Sequence, residues 1–397
     1  MSLAVSDTDA SRDHGCGDGC GRLLLTGATG FVGMEILARY LQRTQMPVTC
    51  VLRAASDAAA RHRVITLLDD LFENGARRYG GRVEAVAGDL TAPGLGLQPV
   101  KRERLAAEVS TIIHSAASVT FDLPLEEIRA INVTGTRRML EFARLAQRLG
   151  GLRRYAQVST AYVAGTYAGH FAESDLDAGQ SFRNTYEQSK FEAERLLRDA
   201  GQGLPWIVLR PSIIVGERET GWTASFNVMY WPLRMLSTGM FKAVPAMPGS
   251  HVDVVSVDYV ADAAFELVQG PAEHGETFHL TAGSNASTFG EILALGARYF
   301  GTPEPAPVAP ERFVAENAEV PAMALEACNI YFPYFAVTTQ YDNARTHARL
   351  AAAGIESTPI TDYLEHLLDF AVLSRWGKRA ITRAQAKAGS ARQDRAA

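Results

Sequence analysis

The stretch Leu23-Leu24-Leu25-Thr26-Gly27-Ala28-Thr29-Gly30-Phe31-Val32-Gly33 decides how the rest of this 397-residue chain is read. Leu23 to Thr26 form an apolar run of strand length. Met34, Leu37 and Leu41, with Ile36 and Tyr40 beside them, recur at the spacing of one helix face. Between strand and helix lies a glycine-rich turn. Glycines let backbone approach a ligand closely, and the unpaired N–H groups and dipole of a helix start attract anions. The spacing Gly27-x-x-Gly30-x-x-Gly33 differs from the commoner G-x-G-x-x-G. In this setting it favours a dinucleotide pyrophosphate over an ordinary tight turn, with Gly27, Thr29, Gly30, Phe31 and Val32 as its lining.

Composition bounds the answer. Hydrophobic residues make up 47% of the chain, enough for a sizeable core. A net charge of −5 argues against nucleic acid as the main partner. Four cysteines, Cys16, Cys20, Cys50 and Cys328, do not suggest a disulfide framework. No signal peptide or membrane-spanning run stands out, so reducing cytoplasm is the expected compartment. Residues 1–20 are polar and small and read as a flexible tail. His14, Cys16 and Cys20 lack a second ligand cluster, so no metal site is expected.

From Arg22 onward, strands alternate with helices, the pattern of a parallel sheet covered on both faces. Strands are predicted at 22–26, 48–53, 83–87, 111–114, 154–159 and 206–210, with helices at 33–45, 57–79, 125–149 and 184–200. A doubly wound α/β Rossmann sheet follows. Residues 216–250 are rich in Met and aromatics, including Trp222, Phe226, Tyr230 and Phe241. A strand at 252–257, a helix at 258–269 and a strand at 277–281 read as a return to the sheet. The predicted division is a cofactor domain of 21–215 plus 252–282, and a smaller, mostly helical lobe of 216–251 plus 283–375. Residues 376–397 form a basic tail, either solvated or docked on an acidic partner.

The second strand ends in Arg53, at the position that meets the adenosine ribose of a bound dinucleotide. An acid there would bond the 2′-hydroxyl, whereas arginine pairs a 2′-phosphate, which favours NADPH. Asp89 and Leu90 follow the third strand, with Asp89 placed for the adenine amino group. Ala116 and Ala117 follow the fourth, small where a cofactor lies close to backbone. Asn132 in the next helix either bonds backbone to steady the site or faces solvent.

Tyr186 and Lys190 stand four residues apart, on one face of a helix. A phenol titrates near about 10 when unperturbed, and a neighbouring ammonium should lower that value and ease proton transfer. Ser159 and Thr160 end the fifth strand, where a hydroxyl can meet the same substrate oxygen. Thr160, one residue further on, is the preferred partner, although alternation does not settle the choice.

Together these segments, with Ile112 to Ala117, Asn132-Val133-x-Gly135-Thr136, Tyr186-Glu187-Gln188-Ser189-Lys190, Leu209-Arg210-Pro211-Ser212-Ile213 and Val257-Asp258-Tyr259, carry a resemblance across about 22–282. The chain resembles the extended short-chain dehydrogenase/reductases and, within them, the thioester reductase and fatty acyl-CoA reductase families. The resemblance implies NADPH-dependent reduction of an acyl thioester to an aldehyde, with alcohol as a further product in some members. It assigns Tyr186 as proton donor, Lys190 as anchor of the nicotinamide ribose and Thr160 as second hydrogen-bond donor. Ser159, Pro211 and Ile213 join the implied cofactor contacts.

No adenylation or carrier domain fits before residue 22, so the acyl group is expected on a separate acyl or peptidyl carrier protein or on coenzyme A. Tyr162, Phe226 and Tyr230 are the expected acyl contacts, although core packing explains any single side chain of the greasy stretch equally well. Both monomer and dimer fit. The alternatives are an extended-family enzyme acting on a free aldehyde, ketone or sterol-like alcohol, a nucleotide-sugar epimerase or dehydratase, and a cofactor-sensing binding protein.

Overall fold

The computed structural model describes residues 21–226, 228–246, 250–271, 274–323, 325, 334 and 337–393. The flexible-tail reading of 1–20, with His14, Cys16 and Cys20, lies outside these residues, as do Asp394 and Arg395. In chain order the first half holds β1 (Arg22–Thr26), α1 (Phe31–Arg43), β2 (Val48–Leu52), α2 (Asp57–Leu71), α3 (Gly75–Tyr79), β3 (Val83–Ala87), α4 (Pro99–Glu108), β4 (Val109–His114) and α5 (Leu125–Leu149). Next come β5 (Arg154–Val158), β6 (Gly169–Phe171), α6 (Thr185–Ala200), β7 (Trp206–Pro211), β8 (Ile213–Val215), α7 (Tyr230–Leu236), β9 (Ala243–Val244), β10 (His251–Val252) and β11 (Val254–Ser256). The last part includes α8 (Val257–Gln269), β12 (Glu276–Leu280), α9 (Phe289–Phe300), α10 (Phe313–Glu316), α11 (Ala344–Ala351), α12 (Leu364–Leu373) and α13 (Arg383–Gln393).

Seven strands form one sheet in the order β12-β7-β5-β4-β1-β2-β3, with every neighbouring pair parallel. Its two faces can be read from single strands. Leu23, Leu25 and Ile113 join one apolar cluster, with Ile36, Leu37 and Tyr40 of α1 and Val260 and Ala264 of α8. Leu24 and Ile112 join another, with Met139, Leu140 and Phe142 of α5 and Leu197 of α6. Successive strand residues point to opposite faces, so continuous apolar runs are what a sheet covered on both sides requires. This is the doubly wound Rossmann fold expected from the sequence.

Two local expectations fail. The predicted helix 57–79 breaks after Leu71, because Asn74 is left-handed (φ 53°) and a Cβ at Gly75 would lie 1.8 Å from the Leu68 carbonyl oxygen. The predicted strand 252–257 does not return to the main sheet. β11 instead pairs in parallel with β8, and β10 pairs antiparallel with residues 287–288, so only β12 rejoins the sheet. A third apolar cluster gathers Met229, Tyr230, Leu233 and Leu236 with Ile292 and Leu293 of α9 and Leu364, Leu367 and Leu368 of α12. The greasy stretch is thus largely spent on packing.

The basic C-terminal segment also differs from a solvated tail. Arg383 is 2% exposed and ion-paired with Glu35 and Glu217. Among the described residues no helix is long and apolar enough to cross a membrane.

Candidate active site

The phosphate end is built by close backbone approach. Gly27 has φ 75°, and a Cβ there would stand 2.6 Å from Ala116 N, so the β1–α1 turn presses on the loop after β4. A Cβ on Gly33 would lie 2.1 Å from Gly27 O, which holds α1 tight against the turn. Gly30 N donates to Gly27 O at 2.8 Å, and Gly30 then opens α1 without a side-chain cap. No acidic residue occupies the first turn. Helices α2, α6, α8 and α9 are each capped by a side chain and carry an acid in their first turn. α1 alone of these five leaves its positive end open, and a pyrophosphate fits that cradle. Phe31 and Val32, half-buried, form its first turn.

Arg53 lies exposed past β2, and a second arginine joins it. Arg63 of α2 donates through Nη1 to the Arg53 carbonyl at 2.8 Å and through Nη2 to Thr29 Oγ1 at 3.2 Å. The sequence reading missed Arg63. Its signal was the buried spacing of Ala60, Val64 and Leu67, which turns Arg63 toward the open side of α2. Asp89 Oδ1 accepts from Thr91 N at 2.8 Å and Thr91 Oγ1 at 2.7 Å. These bonds, helped by the Arg53 charge, hold its carboxyl below the usual range. Leu90 packs beside it on the α5 side of the sheet.

Ala116 N donates to Thr26 Oγ1 at 3.3 Å, and Ala117 follows in the same half-buried loop. Asn132 does not reach toward a ligand. Its Oδ1 accepts from Ser118 N at 2.8 Å, while Nδ2 donates to Ser118 O at 3.0 Å and Ser189 Oγ at 2.9 Å. Of the two alternatives, the structure shows the side chain bonded to backbone. Asn132 pins the loop after β4 to helix α6, which is the steadying alternative.

At the chemical end, α6 is capped by Asn184, whose side-chain oxygen accepts from Glu187 N at 3.0 Å. That cap fixes the first turn, which carries Tyr186. Burial pushes the Tyr186 phenol up to about 12; its hydrogen bond to Thr160 works against that rise and the Glu187 charge adds to it. The expected lowering by the neighbouring ammonium is thus reversed. Lys190 turns its Nζ to Val158 O at 2.7 Å, and burial brings its pKa down to about 8, opposed by Glu194. The buried His114 imidazole, 2.7 Å from Thr26 Oγ1, is driven down to about 3 by burial and then by Lys190, so it is neutral.

Thr160 and Ser159 part ways. Thr160 Oγ1 donates to Pro211 O at 3.3 Å and shares a hydrogen bond with Tyr186. Ser159 Oγ donates to Glu194 Oε2 at 2.9 Å, on the buried Glu194–Arg210 pair, and so turns away from the phenol. Ile213, two residues past Pro211, is buried in the β8–β11 pairing.

Aromatic rings surround the phenol. Phe121 lies 5.6 Å from Tyr186 and 5.6 Å from Tyr334, and Tyr162 meets Tyr334 at 5.2 Å. Asn184 Nδ2 donates to the Tyr334 hydroxyl at 2.7 Å. Phe121 and Tyr334 escaped the sequence reading. Phe121 follows the Ser115-Ala116-Ala117 loop closely enough to have been considered, whereas Tyr334 lies beyond the quoted motifs. A cleft of about 910 Å³ shares Tyr162 and Tyr334 with this wall and continues past His170, His251, Asp253 and Asn343. Its lining mixes polar and apolar surface in nearly equal parts.

Two expected acyl contacts are corrected. Tyr230 is 1% exposed, and its hydroxyl accepts from Gly216 N at 3.0 Å. Phe226 packs between Tyr230 and Phe370, at 5.0 and 6.3 Å. Both serve the core, and neither lines the cleft.

Residues 25–264 match the model of an NAD-binding family described as male sterility protein. The chain belongs to that family. This places it among the nicotinamide-dependent oxidoreductases. It is 32% identical over 292 residues to the non-canonical nonribosomal peptide synthetase cpsA of Aspergillus campestris, covering 70% of this chain and 27% of that protein. It is 36% identical over 253 residues to the isonitrile lipopeptide synthase of Streptomyces coeruleorubidus, covering 63% of this chain and 17% of that protein. The chain therefore spans only a small part of these relatives. Among solved structures, the terminal R domain of the myxalamid biosynthetic pathway superposes with a TM-score of 0.79 at 26% identity, covering 91% of this chain and 93% of that one.

Proposed function

We propose that this family member reduces an acyl thioester, delivered on a carrier protein or coenzyme A, to an aldehyde at the expense of NADPH. The observation that carries the reading is the half-buried Tyr186 paired with the buried Thr160, one helical turn from the buried Lys190, together with an uncapped glycine turn. Relatives named as nonribosomal peptide synthetases and a solved terminal R domain support it. NADPH, when bound, supplies the hydride that reduces the thioester carbonyl.

The chain's own groups do the rest. Tyr186 is held protonated at neutral pH, so its hydroxyl donates to the carbonyl oxygen as charge develops there. Thr160, by turning its hydroxyl proton from the Pro211 carbonyl, offers the same oxygen a second hydrogen bond. The resulting hemithioacetal loses its thiol and leaves the aldehyde, and a second round would give an alcohol. Lys190, charged below about pH 8, stabilises the tyrosinate that remains. Arg53 and Arg63, with no acid at the end of β2, support NADPH over NADH through the 2′-phosphate.

Reducing cytoplasm remains the compartment of choice for such chemistry. The test is incubation with NADPH and a panel of aminoacyl, peptidyl and fatty acyl thioesters, following NADPH absorbance and trapping aldehydes. Consumption of NADPH with release of an aldehyde from a thioester is expected. Turnover of free ketones or sterols with no thioester consumed would replace this reading with the second extended-family one.

A further inference from the structure

The C-terminal segment reaches back to the helix that begins at the glycine turn. α13 packs against α2, and Ile381 and Ala386 join the apolar cluster that also takes Phe31, Val32 and Ala54. Arg383 stands between two buried carboxylates. Its Nε donates to Glu217 Oε1 at 2.8 Å and lies 2.7 Å from Glu35 Oε1. Glu35 belongs to α1 itself, one turn beyond Phe31, and is fully buried. Its other oxygen accepts from Arg39 Nη1, and Arg39 Nε donates to Asp262 Oδ1 at 2.8 Å. Lys387 Nζ approaches Glu217 Oε1 at 3.5 Å. Alongside, Trp222 Nε1 donates to the Ile381 carbonyl at 3.0 Å, and its ring lies 6.1 Å from that of Phe31. Residues 381–383 thus hold the second turn of α1 through Arg383 and reach its first turn by way of Trp222.

Two carboxylates buried side by side repel unless a cation stands between them. Arg383 is the group seen to contact both; Arg39 contacts Glu35, and Lys387 contacts Glu217. A helix start that binds phosphate through backbone amides works best when its position is set before the ligand arrives.

We propose that Arg383 is a positioning residue for dinucleotide binding: by bridging Glu35 and Glu217 it fixes the start of α1 against the turn that takes the phosphates. The inference rests on NADPH lying at that turn. It carries a reciprocal consequence, because a latch that favours cofactor binding must itself be tightened by the cofactor.

The test uses the full chain. NADPH dissociation constants are measured by fluorescence titration for the wild type, Arg383→Met, Arg383→Lys and Trp222→Phe, alongside melting temperatures. Amide exchange of the wild type is followed with and without NADPH. Arg383→Met should raise Kd and the KM for NADPH by about tenfold or more, with kcat within about twofold of wild type. Arg383→Lys should recover part of that loss. Trp222→Phe, which keeps a ring but removes the donor to Ile381, should raise Kd by about threefold. Amides 381–387 of the wild type should exchange more slowly with NADPH bound. A variant that melts earlier yet binds NADPH as tightly as wild type would show a mere brace and overturn the proposal. Unchanged exchange at 381–387 would overturn it too, and this readout with Trp222→Phe decides the matter if Arg383→Met does not fold. A wild type that binds no NADPH would sink the reading of the site itself, and the inference with it.

Discussion

Two helix starts assigned to the proposed site are built in opposite ways. α1 opens on Gly30 with no side-chain cap and no acid in its first turn, which leaves its backbone amides open to an anion. α6 opens on Asn184, whose side chain closes the end, with Glu187 in the first turn. There the backbone is satisfied, and the side chains of Tyr186 and Lys190 are what the helix presents. An open helix end binds charge, while a closed one holds a side chain still for proton transfer.

Breaking the closed end should cost most. Tyr186→Phe keeps the ring against Phe121 but removes the proton, and kcat should fall by about 10²–10⁴-fold with NADPH affinity unchanged. Near-normal turnover would take Tyr186 out of the chemistry. At the open end, Arg53→Ala and Arg63→Ala should each weaken NADPH binding by about tenfold or more while leaving NADH nearly untouched. Equal losses for both cofactors would remove the 2′-phosphate argument.

The pH profile sharpens the contrast. Lys190 is charged below its lowered value of about 8 and neutral above it, whereas Tyr186 keeps its proton until about 12. kcat/KM for thioester reduction should therefore hold steady at neutral pH and fall as pH rises through about 8. A limb that persists unchanged in Lys190→Arg would belong to another group. The smallest functional effect is expected at Tyr230→Phe. Loss of the bond from Gly216 N should cost about 1–2 kcal/mol of stability, with kcat/KM unaltered.

What the sequence disclosed follows from range. The β1–α1 turn, the Tyr186/Lys190 pair and the ends of α5 at Leu125 and Leu149 are local patterns, set by period and by neighbours within a few residues. Arg63 and Tyr334 were hidden because they reach the site through contacts across 34 and 150 residues of chain, to Thr29 and Asn184. Phe226 and Tyr230 misled because an apolar stretch reads alike whether it lines a pocket or fills a core. The basic tail misled in the other direction, since charge alone did not show that Arg383 would be buried between two carboxylates.

The most direct measurement is a crystal structure with NADP⁺ and a substrate thioester or its analogue. The pyrophosphate should lie on the amides of Gly30 to Gly33, and the nicotinamide should face Tyr186 with the substrate carbonyl oxygen hydrogen-bonded to the phenol and to Thr160. A dinucleotide lying away from the glycine turn, or a nicotinamide with no room for a carbonyl between it and Tyr186, would contradict this arrangement.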